Sequence, residues 1–208
     1  MICDPRGARI SLQTQYDSFM GNLKHLCKSI AAAFLVGAWG VGALAQDAPA
    51  AQDIDSLLAE LADPETRNWE QVERKIRLEW SKSGSAAMDL LLQRGRKAME
   101  AEDWTAAVEH FTALTDHAPD FAEGWYARGT VYFRQKLYGP ALSDIGTALS
   151  LNANHFGALS GLAVLLEEMG MEKNALEAWR MLEKINPHRP ETQDALIRLG
   201  AVLGDVPI

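Results

Sequence analysis

Cysteine is nearly absent from this 208-residue chain: only Cys3 and Cys27 carry a thiol, and both precede residue 28. Once that segment is removed, as argued below, neither a disulfide nor thiol chemistry is open to the chain. The glycine loops that cradle phosphates are missing too, since neither G-x-x-x-x-G-K-[ST] nor G-x-G-x-x-G occurs. No serine stands in a G-x-S-x-G elbow; Ser160-Gly161 falls in a helical stretch and Ser81–Ser85 reads as a turn. Nor is there an H-E-x-x-H pair on one helix face. His110, His117, His155 and His188 are scattered, and the last three are expected as exposed turn residues rather than metal ligands. Adjacent acids such as Glu102-Asp103 and Glu167-Glu168 point in different directions and make no catalytic dyad. The expectation is therefore no catalytic residue, no metal and no cofactor, with an enzyme only a remote alternative.

One apolar stretch stands apart, from Ile30 to Ala43. Lys24, His25 and Lys28 precede it, and Ala43-Leu44-Ala45 follows it. A basic region, a short apolar core and an A-x-A site define a secretory signal peptide. Cleavage is expected after Ala45, with Met20 the more natural start and residues 1–19 a mis-assigned one. The alternative, a retained membrane anchor, meets the difficulty that a spanning helix needs about 20 apolar residues. The signal type points to the bacterial periplasm. Loss of residues 1–45 leaves 16 basic and 26 acidic residues, a net charge of −10 against −8 for the whole chain. Such a chain gains nothing from counterion release on nucleic acid, and anionic lipid repels it. Neither nucleic acid nor stable membrane insertion is expected.

Beyond a small-residue linker, 46–52, the dominant feature is a repeat. Three stretches, Met88–Phe121, Ala122–His155 and Phe156–Arg189, align at an interval of 34 residues. Small residues recur at Gly95, Gly129 and Ala163, and alanines at Ala107, Ala141 and Ala175. Large apolar residues recur at Leu91, Trp125 and Leu159, and again at Phe111, Ile145 and Trp179. Within each unit these positions fall into two clusters at helical spacing, separated by turn formers at Glu102-Asp103, Lys136–Pro140 and Gly170–Asn174. Each unit therefore reads as an antiparallel helix pair whose small residues allow close approach. Pro119 and Pro187 are expected to stop the second helix, with Ala153 the lapse in that slot. Such a period means a solenoid of stacked units rather than a compact globule around one pocket.

Two segments flank the repeats. From Asp53 to Ser85 the pattern reads as a helical hairpin. Ile54, Leu57, Leu58 and Leu61 form one stripe, and Asp63-Pro64 is expected to open a second helix carrying Trp69, Val72, Ile76 and Trp80. It lacks the repeat's small-residue slots and is expected to be an N-terminal cap. At the other end, within 190–208, Pro190 opens a capping helix expected to turn Ala195, Leu196, Leu199 and Val202 inward. The fold class is all-α: an α-solenoid of three helix pairs with a helical hairpin before it and a capping helix after.

The pattern resembles the tetratricopeptide repeat (TPR) family, whose W-x2-L-G-x2-Y…A-x3-F…P motif has the same period. The middle copy carries the resemblance best, in Trp125, Gly129, Tyr132, Tyr138, Ala141, Ile145 and Ala148. Arg128 stands where the family usually has leucine. The resemblance implies a concave groove lined by the first helices, which grips an extended peptide or a partner helix. Carried over slot by slot, that groove comprises Arg96, Met99, Tyr126, Thr130, Phe133, Arg134, Ser160, Val164 and Glu167, with Tyr126, Phe133 and Arg134 as anchors. The slots with which chaperone-binding members hold a terminal carboxylate contain Leu92, Arg96, Ala127, Gly157 and Gly161, so a clamp of that type is not expected. The implied function is a periplasmic adaptor for a protein or peptide partner, in cell-envelope maintenance or assembly. The alternative is a structural element that self-associates, weakly, through the aromatic N-terminal hairpin.

Overall fold

The computed structural model describes residues 53–204. The signal-like segment, its cleavage site at Ala45 and the linker 46–52 lie outside the described residues. Nine helices and no strand occur among the described residues: α1 (Ile54–Ala62), α2 (Trp69–Trp80), α3 (Ala86–Glu100), α4 (Trp104–His117), α5 (Ala122–Arg134), α6 (Tyr138–Leu151), α7 (Phe156–Glu168), α8 (Glu172–Ile185) and α9 (Pro190–Leu203). None of them is long and apolar enough to cross a membrane. The helices α4, α6 and α8 begin 34 residues apart, as do α5, α7 and α9. The last helix thus takes the place of a first helix in a fourth pair.

Small residues set the spacing within each pair. Ala107, Ala141 and Ala175 are fully buried. A Cβ built on Gly129 would stand 3.0 Å from Ile145 Cγ1 and 3.3 Å from the Ala141 carbonyl oxygen; one on Gly95 would collide with the Phe111 ring at 2.3 Å. The seam closes because those positions carry no bulk.

The turn inside each pair is also periodic. Glu102, Lys136 and Gly170 adopt left-handed backbone, with φ of 56°, 60° and 69°. At the middle turn Lys136 N–H donates to the Phe133 carbonyl and Leu137 N–H to that of Tyr132, the paired bonds of a Schellman stop. Glycine fills this slot only in the third copy. Lys136→Gly should therefore relieve about 1–2 kcal/mol of steric cost against roughly 0.5–1 kcal/mol of added chain entropy. A thermal melt is expected to shift upward by about 2–4 °C per kcal/mol gained; an unchanged or lower midpoint would contradict this account.

The helices α4 and α8 end just before Pro119 and Pro187, as expected, but proline is not required for the stop. The helix α6 stops at Leu151, in register with the other two, although Ala153 replaces the proline. There the Asn152 side chain accepts from the Asn154 N–H, a local turn that competes with further helix. Asn186 does the same with the His188 N–H.

Two expectations about the ends are corrected. Asp63-Pro64 does not open α2: the Asp63 carboxylate accepts from the Glu65 N–H, and Thr66 Oγ1 donates to the Glu60 carbonyl. Those bonds form a turn, and the helix starts at Trp69 after Asn68. In α9 the buried residues are Thr192, Ala195, Leu199 and Gly200, whereas Val202 is 69% exposed and points to solvent.

The hairpin α1–α2 is the main departure from a simple stack. It does not lie over the first repeat. Its buried Leu57, Leu61, Val72 and Ile76 join the core of the second and third repeats, while α3, α4 and the inner face of α5 form a separate cluster around Phe111 and Leu114. The hairpin runs along the turns that connect one pair to the next. Trp69 stacks on His188 at 5.8 Å, and Trp80 stacks on His155 at 5.0 Å. At the centre of this contact the buried Glu73 carboxylate receives Arg189 through two nitrogens, Nε at 3.0 Å and Nη2 at 2.6 Å, and Asn186 Nδ2 at 2.8 Å. The aromatic stripe is thus used within the chain.

Candidate groove

The first helices α5 and α7 present their exposed faces to a concave depression of about 250 Å³. Helical spacing brings Tyr126, Thr130, Phe133 and Arg134 of α5 to one side. Gly157, Ser160, Gly161 and Val164 of α7 form the other. The hairpin and the last interhelical turn close one end with Arg77 and Arg189. Gly157 lets Tyr126 pack closely: a Cβ there would stand 3.1 Å from Tyr126 Cζ and push the ring outward. Tyr126 lies against His155 at 4.8 Å between ring centroids, and Phe133 against Tyr138 at 6.2 Å. Burial, followed by the charge of Glu123, pushes the Tyr126 hydroxyl pKa up, so the phenol stays neutral.

Of the residues assigned to the groove from the repeat slots, the structure brings Tyr126, Thr130, Phe133, Arg134, Ser160 and Val164 together. It does not bring Arg96, Met99 or Glu167 to them. Arg96 is drawn toward the turn edge, where Nη2 pairs with Glu123 Oε1 and donates to Ser81 Oγ. Met99 packs on the cluster around Phe111. Glu167 accepts from Trp179 Nε1 at 2.7 Å and pairs with Arg198 at 2.7 Å. Pairing within the chain draws Arg96 and Glu167 away from the groove, and apolar packing does so for Met99. The pairing of Arg96 also occupies the one cation among the terminal-carboxylate slots.

His155 is the clearest correction to the sequence reading. It is 2% exposed and caps α7: Nδ1 accepts from the Ala158 N–H at 3.1 Å, which puts the ring proton on Nε2, and Nε2 donates to Glu123 at 2.9 Å. With Trp80 on one side and Tyr126 on another, it joins three elements. A slot comparison carries a hint, since Phe121, His155 and Arg189 all precede a first helix. Arg77 and Arg189 were missed as groove residues because the repeat period says nothing about where the hairpin docks. Among the described residues no cluster of three histidine or acidic side chains is placed to hold a metal ion.

Paired helices in constant register, small residues in the seam and a concave face define a helical-repeat solenoid of the kind that binds other proteins. No family model matches the chain. A TPR repeat-containing protein of Rhizobium etli is 35% identical over 155 residues, covering 73% of this chain and 75% of that protein. The chain belongs to the tetratricopeptide repeat family. It is also 29% identical over 111 residues to small glutamine-rich tetratricopeptide repeat-containing protein 2 of Saccharomyces cerevisiae, over 53% of this chain and 32% of that one. Among solved structures, the first TPR of Spaghetti (RPAP3) bound to an HSP90 peptide superposes with a TM-score of 0.54 at 21% identity, over 56% of this chain and 93% of the other. That likeness concerns the fold.

Proposed function

We propose that this protein is an exported adaptor that holds an extended segment of another envelope protein in the groove between α5 and α7. The observation that carries the reading is the convergence of two aromatics, Tyr126 and Phe133, with Arg134 on one open concave face. Aromatic and arginine side chains dominate the energetics of protein interfaces. A TPR domain of the same fold has been solved with a peptide bound. The basic and apolar residues from Lys24 to Ala45 support export, and the periplasm is the compartment proposed. A role in maintaining or assembling the envelope accords with that address. Self-association through the hairpin is less well supported, because Trp69 and Trp80 stack inside the chain.

Two measurements test this. Mass spectrometry of an osmotic-shock fraction should find the chain beginning at Gln46; recovery only in the cytoplasm refutes export. A photo-crosslinking residue at Val164, which is 37% exposed in the groove, should give a defined protein adduct, and one at Leu137, in the turn after α5 and outside the groove lining, should not. Identical adducts from both positions, or none from either, count against the groove.

A further inference from the structure

The groove has an electrical character that its parent chain lacks. Three arginines line it, Arg77, Arg134 and Arg189, and no carboxylate does. The whole chain, by contrast, carries a net charge of −8. Two of these cations are partly spent. Arg189 holds Glu73 and Glu191, and Arg77 shares Glu73 through Nε and Nη2 while its side chain remains 45% exposed. Arg134 is exposed and has no partner among the described residues. Unspent guanidinium donors therefore stand at two places on the rim, one on the hairpin and one at the end of α5. Between them lie Tyr126, Phe133 and Val164, with the Tyr126 ring packed over the buried Gly157 and Gly161 left partly exposed.

Resting on the groove reading above, we propose that the occupant is an acidic extended segment: carboxylate side chains flanking one large apolar residue. Gly161, partly exposed, adds no side chain to the α7 wall, so an extended backbone can approach the helix there. The apolar residue seats against Tyr126 and Phe133, and a carboxylate on either side meets Arg134 or Arg77 in charge-assisted hydrogen bonds. A basic segment would meet only like charge. The arrangement differs from a clamp on a chain-terminal carboxylate, because the cations lie on the rim and one of them comes from outside the repeats. Docking of the hairpin is thus part of building the site.

The test is a selection of displayed random 12-residue peptides on the purified protein. Recovered sequences should be enriched in Asp and Glu around a Phe, Leu or Trp. Fluorescence anisotropy of the best synthetic peptide should show affinity falling as sodium chloride is raised. Arg134→Glu, at an exposed residue without a partner, should keep the wild-type melting curve and weaken that peptide by at least about tenfold. A recovered pool no more acidic than the input, or binding indifferent to Arg134→Glu, overturns the acidic occupant. If such a pool still loses binding with Phe133→Ala, the groove stands and only its charge preference falls. No enrichment at all overturns both.

Discussion

Replacing Glu73 with alanine is expected to cost about 3–5 kcal/mol and to free the N-terminal hairpin before the repeats melt. Glu73 is 8% exposed, and its two oxygens receive Arg189, Asn186 and Arg77. Arg189 is itself buried, its side chain 10% exposed. Removing the carboxylate leaves a largely buried guanidinium with only the exposed Glu191 carboxylate as counter-charge, which costs far more than the intact pair contributes. The loss has a location. Leu57, Leu61, Val72 and Ile76 enter the main core from the hairpin that this contact helps to dock, so amide exchange in α1 and α2 should accelerate well before exchange in α6 to α8. Urea denaturation combined with site-resolved exchange reads both. A loss under about 1 kcal/mol, or uniform acceleration in all helices, would refute this account of the contact.

Acid should act on the same joint. Burial pushes the Glu73 pKa upward, but hydrogen bonds and charge from Arg189, then Arg77, outweigh it and leave the pKa below its ordinary value. A carboxyl whose folded pKa is depressed contributes stability that is fully present above its unfolded value and disappears as pH falls through the folded one. Docking should therefore hold at neutral pH and weaken below the usual carboxylate range. In Glu73→Gln this acid step should vanish, because no proton is taken up at that position.

The repeats were legible because one physical constraint recurs at each copy. Close approach of two helices demands small residues at Gly95, Gly129 and Ala163 and at Ala107, Ala141 and Ala175, and that demand prints a period on the chain. Most of the α5 and α7 groove residues follow, since the period fixes which face of each first helix is concave. The hairpin's berth was not legible. Glu73 and Arg189 are 116 residues apart, and a single pair at that separation leaves no pattern in one sequence. For the same reason His155 reads as a turn residue: its burial comes from Trp80, on a helix that the period does not place. Val202 failed differently. It fits the helical stripe of α9, but no second helix follows α9 among the described residues to cover it.

Arg128 and Asp144 supply the second large effect, and the chain itself suggests the control. Arg128 Nε and Nη2 grip both oxygens of Asp144 at 2.7 and 3.0 Å, Nη1 donates to Thr115 at 2.9 Å, and the guanidinium lies 4.9 Å from the Trp125 ring centroid. The two side chains are 13% and 7% exposed. Arg128→Leu, the residue common in the family at this slot, strands Asp144 in the core and should cost about 3–5 kcal/mol. One repeat later, the same two slots hold Leu162 and Ala178, both fully buried. Arg128→Leu with Asp144→Ala installs that arrangement in the middle repeat, and Thr115 keeps its own bond to the Thr112 carbonyl. The double variant should recover most of the loss, ending within about 1–2 kcal/mol of the parent, because replacing a buried ion pair as a unit is often close to neutral. A cycle built from the two singles and the double, measured in urea, gives the coupling directly. Near-additive losses would mean that Arg128 acts mainly through its contact with Trp125 and Tyr132. Strong recovery would mean that the pair adds little net stability over the apolar arrangement of the next repeat.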